Sequence, residues 1–230
     1  MSATPVYLVA GSPPWSRKVF DQSISKYPGS WHFVSRPEEL TVDLVVRLVP
    51  RYVFFLHWSW RVPAEIVGDY ECVCFHMTDV PFGRGGSPLQ NLIVRGYRRT
   101  KLTALRMVEA FDAGPVYLKA DLSLAGSAEE IYLRASHLSA RMIGQLIERQ
   151  PTPTPQQGEP IVFKRRRPDE SRIGARLSPT KLYDFIRMLD AEGYPRAYVE
   201  HAGYRWELSS ATLEQGEVRA AVTIRPLDEQ

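Results

Sequence analysis

Cysteine is scarce in this chain, with two among 230 residues, Cys72 and Cys74. Spaced two apart in a strand-like run, their side chains point the same way, which disfavours a disulfide between them, and two thiols do not complete a zinc site. They read as buried free thiols, which fits a reducing cytoplasm. Long apolar runs are missing too. No stretch reaches the ~18 residues that a membrane span needs. The amino-terminal MSATPVYLVAGSPPWSR lacks the basic start and long apolar core of a signal peptide, so none is expected. Histidine is sparse, five in all, with no H-E-x-x-H and no cysteine–histidine cluster, so no catalytic metal is expected. Neither common nucleotide loop occurs. GRGGSP lacks the Gly-Lys-Ser/Thr ending of a Walker A loop, and AGSPPWSR lacks G-x-G-x-x-G spacing, which argues against a nicotinamide cofactor. Excess charge is small, 29 Lys and Arg against 26 Asp and Glu, a net +3. That argues against a nucleic-acid partner and is compatible with an anionic small substrate.

What is present is an ordinary soluble composition, 44% hydrophobic and 24% charged. The chain is long enough for one substantial domain plus an appendage, or for two small domains. Short apolar runs at Pro5 to Ala10, Trp31 to Ser35, Tyr52 to Trp58 and Glu71 to Met77 read as buried strands. Between the second and third, Pro37 to Val49 carries leucine and valine at helical spacing. Strands alternating with helical patterns predict an α/β fold: a mostly parallel sheet with helices on both faces. Ser87 to Gly96 has proline near a helix start and glycine at its end. Ser127 to Arg149 opens on a capping box, Ser127 and Glu130, followed by an apolar face of Ile131, Ala135, Leu138, Met142 and Leu146.

PTPTPQQGEP then interrupts the pattern, since its prolines exclude a helix or central strand. The expected organisation is a domain over residues 1–150, a proline-rich linker over 151–160 and a small α+β, mainly β, appendage over 161–230. Within the last, Lys181 to Leu189 reads as a short amphipathic helix and Ala197 to Ile224 as a small antiparallel sheet. The basic run Lys164 to Arg167 reads as a solvated face or as a contact to a substrate diphosphate.

CVCFHMTDVPFGRGGSPLQNLI, Cys72 to Ile93, passes from strand to helix and carries its polar residues where the strand stops. In open α/β sheets ligands collect at the carboxyl ends of strands, so His76 stands where a functional residue is expected. His76, Pro81, Arg84-Gly85 and Pro88 resemble the segment H-x-S-L-L-P-x-x-R-G-x-x-P of the 10-formyltetrahydrofolate-dependent formyltransferases. Thr103 to Val116, TALRMVEAFDAGPV, is similar to the same family's T-x-x-x-M-x-x-x-x-D-x-G-P-I. The carboxyl part, VFKRRRPDESRI and DFIRMLDAEGYPRAYV, looks like the tail of the sugar N-formyltransferases.

The resemblance implies a Rossmann-like domain in which the two motifs converge at the strand ends. It implies a cytoplasmic N-formyltransferase with 10-formyltetrahydrofolate as donor and the amine of a nucleotide-linked aminodeoxy sugar as acceptor, in surface-glycan biosynthesis. A methionyl-tRNA or other amine acceptor is the alternative, as is a catalytically weakened relative that only binds folate or a nucleotide. No membrane partner is expected, and a homodimer is left open.

Formyl transfer to an amine needs an uncharged amine, a stabilised oxyanion and a route for a proton. Asp112 is the expected proton acceptor and His76 the group that stabilises the oxyanion. For the donor, the resemblance points to Trp60, Arg61 and Val62 in WSWRVP, with Asp112, Gly114 and Pro115 as the opposite wall. Thr78, Asp79, Arg84, Gly85, Gln90 and Asn91 are the expected acceptor contacts. One position departs from the family: Cys74 stands where an asparagine amide would polarise the formyl oxygen. Losing such a donor typically costs roughly 3–4 kcal/mol of transition-state stabilisation. Thr78, Gln90 and Asn91 are the candidates to replace it. His57 has no partner evident from the sequence.

Overall fold

The computed structural model describes residues 4–174 and 176–227; the first residues of the stretch read against a signal peptide lie outside them. In chain order the elements are β1 (Val6–Gly11), α1 (Pro14–Gln22), β2 (Ser30–Val34), α2 (Val42–Leu48), β3 (Tyr52–Leu56), α3 (Ala64–Asp69), β4 (Cys72–His76), β5 (Phe82–Gly85) and α4 (Pro88–Val94). They continue as β6 (Arg99–Arg106), β7 (Val116–Ser123), α5 (Ala128–Arg149), β8 (Ile161–Phe163), α6 (Pro179–Arg187), β9 (Ala197–His201), β10 (Tyr204–Glu214) and β11 (Glu217–Pro226). All four strands predicted in the first third form.

Six strands make one sheet in the order β2-β1-β3-β4-β6-β7. β1 pairs with β2 and β3 in parallel, and β3 with β4 likewise, whereas β4 meets β6 antiparallel. The sheet is thus mixed and mostly parallel. β3 is buried at every residue, as its unbroken YVFFL run requires of a central strand. One core cluster gathers Leu8, Ala10, Val53, Phe55 and Cys72 from the sheet with Val45 and Ile66 from the helices. Each such Leu or Phe, fully buried, contributes about 2 kcal/mol.

Two local outcomes differ from the pattern. The helix expected over Pro37 to Val49 splits into a 3-10 turn, Pro37–Glu39, and α2. Thr41 makes the break: its hydroxyl accepts the Leu44 N–H at 3.1 Å, so the chain caps a new helix there. Pro50 ends it, excluding helical backbone at Val49, which turns left-handed at φ 46°. Conversely, α1 begins in GSPPWSR, for which no helix was expected. Pro14 occupies a first helical position, where a missing N–H costs nothing.

The chain divides into two compact units. One runs through Gly85 and adds Thr100–Leu122 and Leu133–Val162; the other comprises Gly86–Arg99, Ser123–Tyr132 and the chain from Phe163 onward. The first holds most of the six-stranded sheet. Within it Val116 and Thr154 exchange backbone hydrogen bonds, which ties the proline-rich segment to the start of β7. The second holds a three-stranded antiparallel sheet in the order β11-β10-β9, together with α4 and α6. There Arg187, 2% exposed, pairs with Asp184 and donates to the carbonyls of Leu124 and Gly126. No helix among the described residues is long and apolar enough to cross a membrane.

Candidate active site

β4 delivers His76 to its carboxyl end, opposite Thr103 of β6. The ring is almost fully buried, and both of its nitrogens face oxygen. Nε2 lies 2.7 Å from the Gly83 carbonyl, and Nδ1 lies 3.4 Å from Asp112 Oδ1. A carbonyl only accepts, so Nε2 carries a proton. Nδ1 then faces the Asp112 carboxylate, close enough for the ring and the carboxyl group to handle a proton together.

The glycine–arginine turn explains how this arrangement is held. Gly83 and Gly85 take left-handed φ values of 78° and 95°, a conformation that side chains resist. Between them the backbone presents opposite groups to the pair. The Gly83 carbonyl receives His76 Nε2 and the Thr78 hydroxyl, the latter at 3.2 Å, while the Gly85 N–H donates to Asp112 Oδ2 at 2.9 Å. Charge-assisted bonds of this kind orient a carboxylate firmly. Sequence reading singled out Gly85 as an acceptor contact; here its amide orients Asp112.

Asp112 itself is left-handed, φ 53°, a region that aspartate tolerates better than most residues. The loop after it is strapped to β6 by the Arg106 N–H, which donates to the Pro115 carbonyl at 2.9 Å. A Cβ at Gly114 would stand 1.8 Å from the Arg106 carbonyl oxygen, so the DAGP loop approaches the strand as only glycine permits. Gln156 completes the strap. Its amide nitrogen donates to the carbonyls of both Asp112 and Gly114 at 2.8 Å, and its oxygen accepts from Arg84 Nε and Nη2 at 3.0 and 2.8 Å. Nothing in PTPTPQQGEP distinguishes Gln156 from Gln157, and sequence reading missed it.

The remaining predicted contacts divide between the two units. Thr78 is fully buried, its hydroxyl on Gly83 and its carbonyl receiving the Thr103 hydroxyl at 2.7 Å. Asp79 is exposed and pairs with Lys119. Gln90 and Asn91 belong to the second unit, where their amide nitrogens are engaged. Gln90 donates to the Tyr132 hydroxyl and the Met188 carbonyl, and Asn91 to the carbonyls of Gly86, Ser87 and Lys164. All three candidates for the missing asparagine donor thus already bond to protein oxygens.

Cys74 lies close enough to Asp112 for that charge to bear on it. Burial, then the Asp112 carboxylate, pushes its thiol upward; burial, with Glu71 adding and Arg106 opposing, pushes Cys72 up to about 12. In the unfolded chain both ionise near ~8.5. Cys72 is buried and Cys74, expected to be buried as well, is half-buried; keeping both thiols neutral favours folding fully below that pH, and the contribution is lost as the pH rises through the folded values. Ellman's reagent at pH 8 should leave both thiols unmodified in the native protein and titrate both after denaturation. Rapid native labelling would show that one is an exposed thiolate.

In the segment expected to meet the donor, Val62 is buried in the core while Trp60 and Arg61 are exposed. Trp58 packs edge-on against Trp60 with ring centroids 5.0 Å apart, and its buried Nε1 has no acceptor among the described residues. An exposed indole beside an unused buried donor fits a flat heterocycle with polar edges. His57, for which the sequence offered no partner, turns left-handed, places Nε2 3.0 Å from the Ser136 hydroxyl and meets Trp15 edge-on. Among the described residues no group of three or more His, Cys, Asp or Glu could hold a metal ion.

Similarity to known proteins sharpens this geometry. A family model described as the methionyl-tRNA formyltransferase C-terminal domain matches residues 168–225. The solved methionyl-tRNA formyltransferase from Clostridium thermocellum is 43% identical, with a TM-score of 0.91, over 96% of this chain and 99% of that one. The chain belongs to the formyltransferase family. The methionyl-tRNA formyltransferase of Thermodesulfovibrio yellowstonii is 23% identical over 206 residues, 84% of this formyltransferase-family chain and 66% of that protein. A 4-N formyltransferase from Francisella tularensis shares the fold at a TM-score of 0.67 and 13% identity, over 98% of this chain and 99% of that one. The chain spans 66%, 43% and 46% of the length of three curated relatives that it matches.

Proposed function

We propose that the chain is an N-formyltransferase that moves a formyl group from 10-formyltetrahydrofolate to an amine, with His76 and Asp112 as its catalytic pair. The observation that carries this reading is the approach of His76 Nδ1 to Asp112 Oδ1 at 3.4 Å, at a strand end, in a chain of this family. The amine nitrogen attacks the formyl carbon, forming a C–N bond and a tetrahedral centre bearing an oxyanion. Asp112 takes the proton that the amine nitrogen must lose. The His76 proton compensates the growing negative charge and is passed to the donor nitrogen as its bond to the formyl carbon breaks, giving tetrahydrofolate and the formamide. Electrons and protons balance, and the pair regains its proton from the acid that Asp112 has become.

The acceptor favoured by the comparisons is the amine of a methionyl-tRNA rather than a nucleotide-linked sugar. The relative that shares 43% of its residues over nearly the whole chain carries the methionyl-tRNA name, whereas the 4-N formyltransferase from Francisella tularensis is only 13% identical. The expectation against a nucleic-acid partner gives way with that choice: the amine is carried by tRNA. Arg84, held but without an acidic partner among the described ion pairs, is suited to an anionic group of the acceptor.

The test is to incubate the chain with 10-formyltetrahydrofolate and either charged initiator tRNA or a panel of nucleotide-linked amino sugars, and to follow tetrahydrofolate release. Release that depends on methionyl-tRNA is the expected result. Release with a sugar alone would overturn the acceptor, and release with no amine at all would overturn the reaction.

A further inference from the structure

We propose that Gln156 is a positioning residue that fixes the reactive geometry of Asp112 and aims Arg84 by the two ends of a single amide. This deepens the formyl-transfer reading and rests on it for its kinetic arm alone. Asp112 has only one side-chain bond from the backbone turn, the Gly85 N–H, and sits in a left-handed conformation that its own residue type does not enforce. Something must hold the main chain there. The Gln156 amide nitrogen does so, since it meets the carbonyls of Asp112 and Gly114 at once and brackets the residue between them. Arg106, bonded to Pro115, anchors the far end of the same loop. With both carbonyls held, the Asp112 side chain has a fixed origin from which Oδ1 reaches His76 and Oδ2 reaches Gly85.

The oxygen end has a separate task. It accepts from Nε and Nη2 of Arg84, so one edge of the guanidinium is occupied and its Nη1 side is left for a carboxylate or phosphate. A glutamine suits both tasks because it donates and accepts from one planar group. The arrangement links acceptor recognition at Arg84 to proton handling at Asp112 through one side chain, and the linkage can be cut at either end.

Gln156→Glu keeps an oxygen for Arg84 but loses the donors to the two carbonyls; Gln156→Leu loses both. Two readouts are needed. The first uses the whole chain without substrates: the Gly85 amide proton, shifted downfield by the Asp112 carboxylate, is followed by NMR. It should move upfield in both variants, with the rest of the spectrum native-like and the melting temperature lower by about 2–8 °C. The second is steady-state formyl transfer. Both variants should lose roughly 10–100-fold in kcat, the effect of misplacing a reacting group by about an ångström. KM for the acceptor should rise in Gln156→Leu only.

An unmoved Gly85 resonance in Gln156→Leu overturns the proposal whether or not the chain turns over. So does wild-type kcat in both variants. If the wild-type chain transfers no formyl group to any amine while the Gly85 resonance moves, the positioning role stands and the functional reading falls.

Discussion

Asp112→Asn should lower formyl transfer by about 10³-fold while leaving the fold intact. Asparagine keeps the shape and an oxygen for the Gly85 N–H, so the loop and the turn retain their bond. What it removes is the charge facing His76 Nδ1 and the capacity to take the amine's proton. His76→Ala should cost a similar factor, because it leaves Asp112 without a counter-charge and the leaving nitrogen without a proton source. Since the two act as one unit, the double variant should be little worse than either single one. Turnover numbers with saturating donor and acceptor, measured beside melting temperatures, check all three. Near-wild-type turnover in Asp112→Asn would contradict the assignment of the base.

The second large effect is on stability. Gly114→Ala places a methyl group where the Arg106 carbonyl oxygen stands, 1.8 Å from the new Cβ. The strand cannot yield easily, because Arg106 faces Val73 in the β4–β6 ladder and its own N–H holds the Pro115 carbonyl. The loop must therefore move away, losing the bonds that Gln156 and Arg106 make to it. Overpacking of this kind, with those bonds lost, costs roughly 3 kcal/mol. For a chain of this size that corresponds to a melting temperature lower by about 6–12 °C. Differential scanning calorimetry reads it directly. A variant as stable as wild type would show that the loop does not press on the strand.

How far these features were legible depends on what kind of group carries them. The strands β1, β3 and β4 were legible because buried parallel strands need unbroken apolar runs, and YVFFL and CVCFH have few other fates; β2 forms where expected but as an edge strand with Ser30 and His32 exposed, not as a buried one. His76 and Asp112 were legible only through two motifs in family order; nothing in the composition brings together residues so distant in sequence. The turn that orients them was half visible. Its glycines announce unusual backbone, yet the groups that act are a carbonyl at Gly83 and an amide at Gly85. Backbone groups leave no residue-type signature.

Gln156 failed to appear for a related reason. The prolines around it describe backbone and say nothing about which polar side chain turns inward. The helix that splits at Thr41 shows the converse: the apolar spacing is real, but a threonine that can cap competes with continuing the turn. Gln90 and Asn91, next to one another in the motif region, looked available for substrate because side-chain amides are versatile. In the fold their amides satisfy a hydroxyl and several carbonyls within the second unit. Cys74 remains the one place where the family's asparagine amide is exchanged for a neutral thiol, with no substitute donor left unoccupied among the candidates. On the proposed reading, formyl transfer then leans more heavily on the His76–Asp112 pair.

A crystal structure of the chain with a non-transferable formyl-folate analogue tests that pair most directly. The formyl group should sit against the His76–Asp112 pair, with its oxygen or the adjoining nitrogen at hydrogen-bond distance, about 3 Å, from the His76 ring. A formyl group seated away from both side chains would contradict the account.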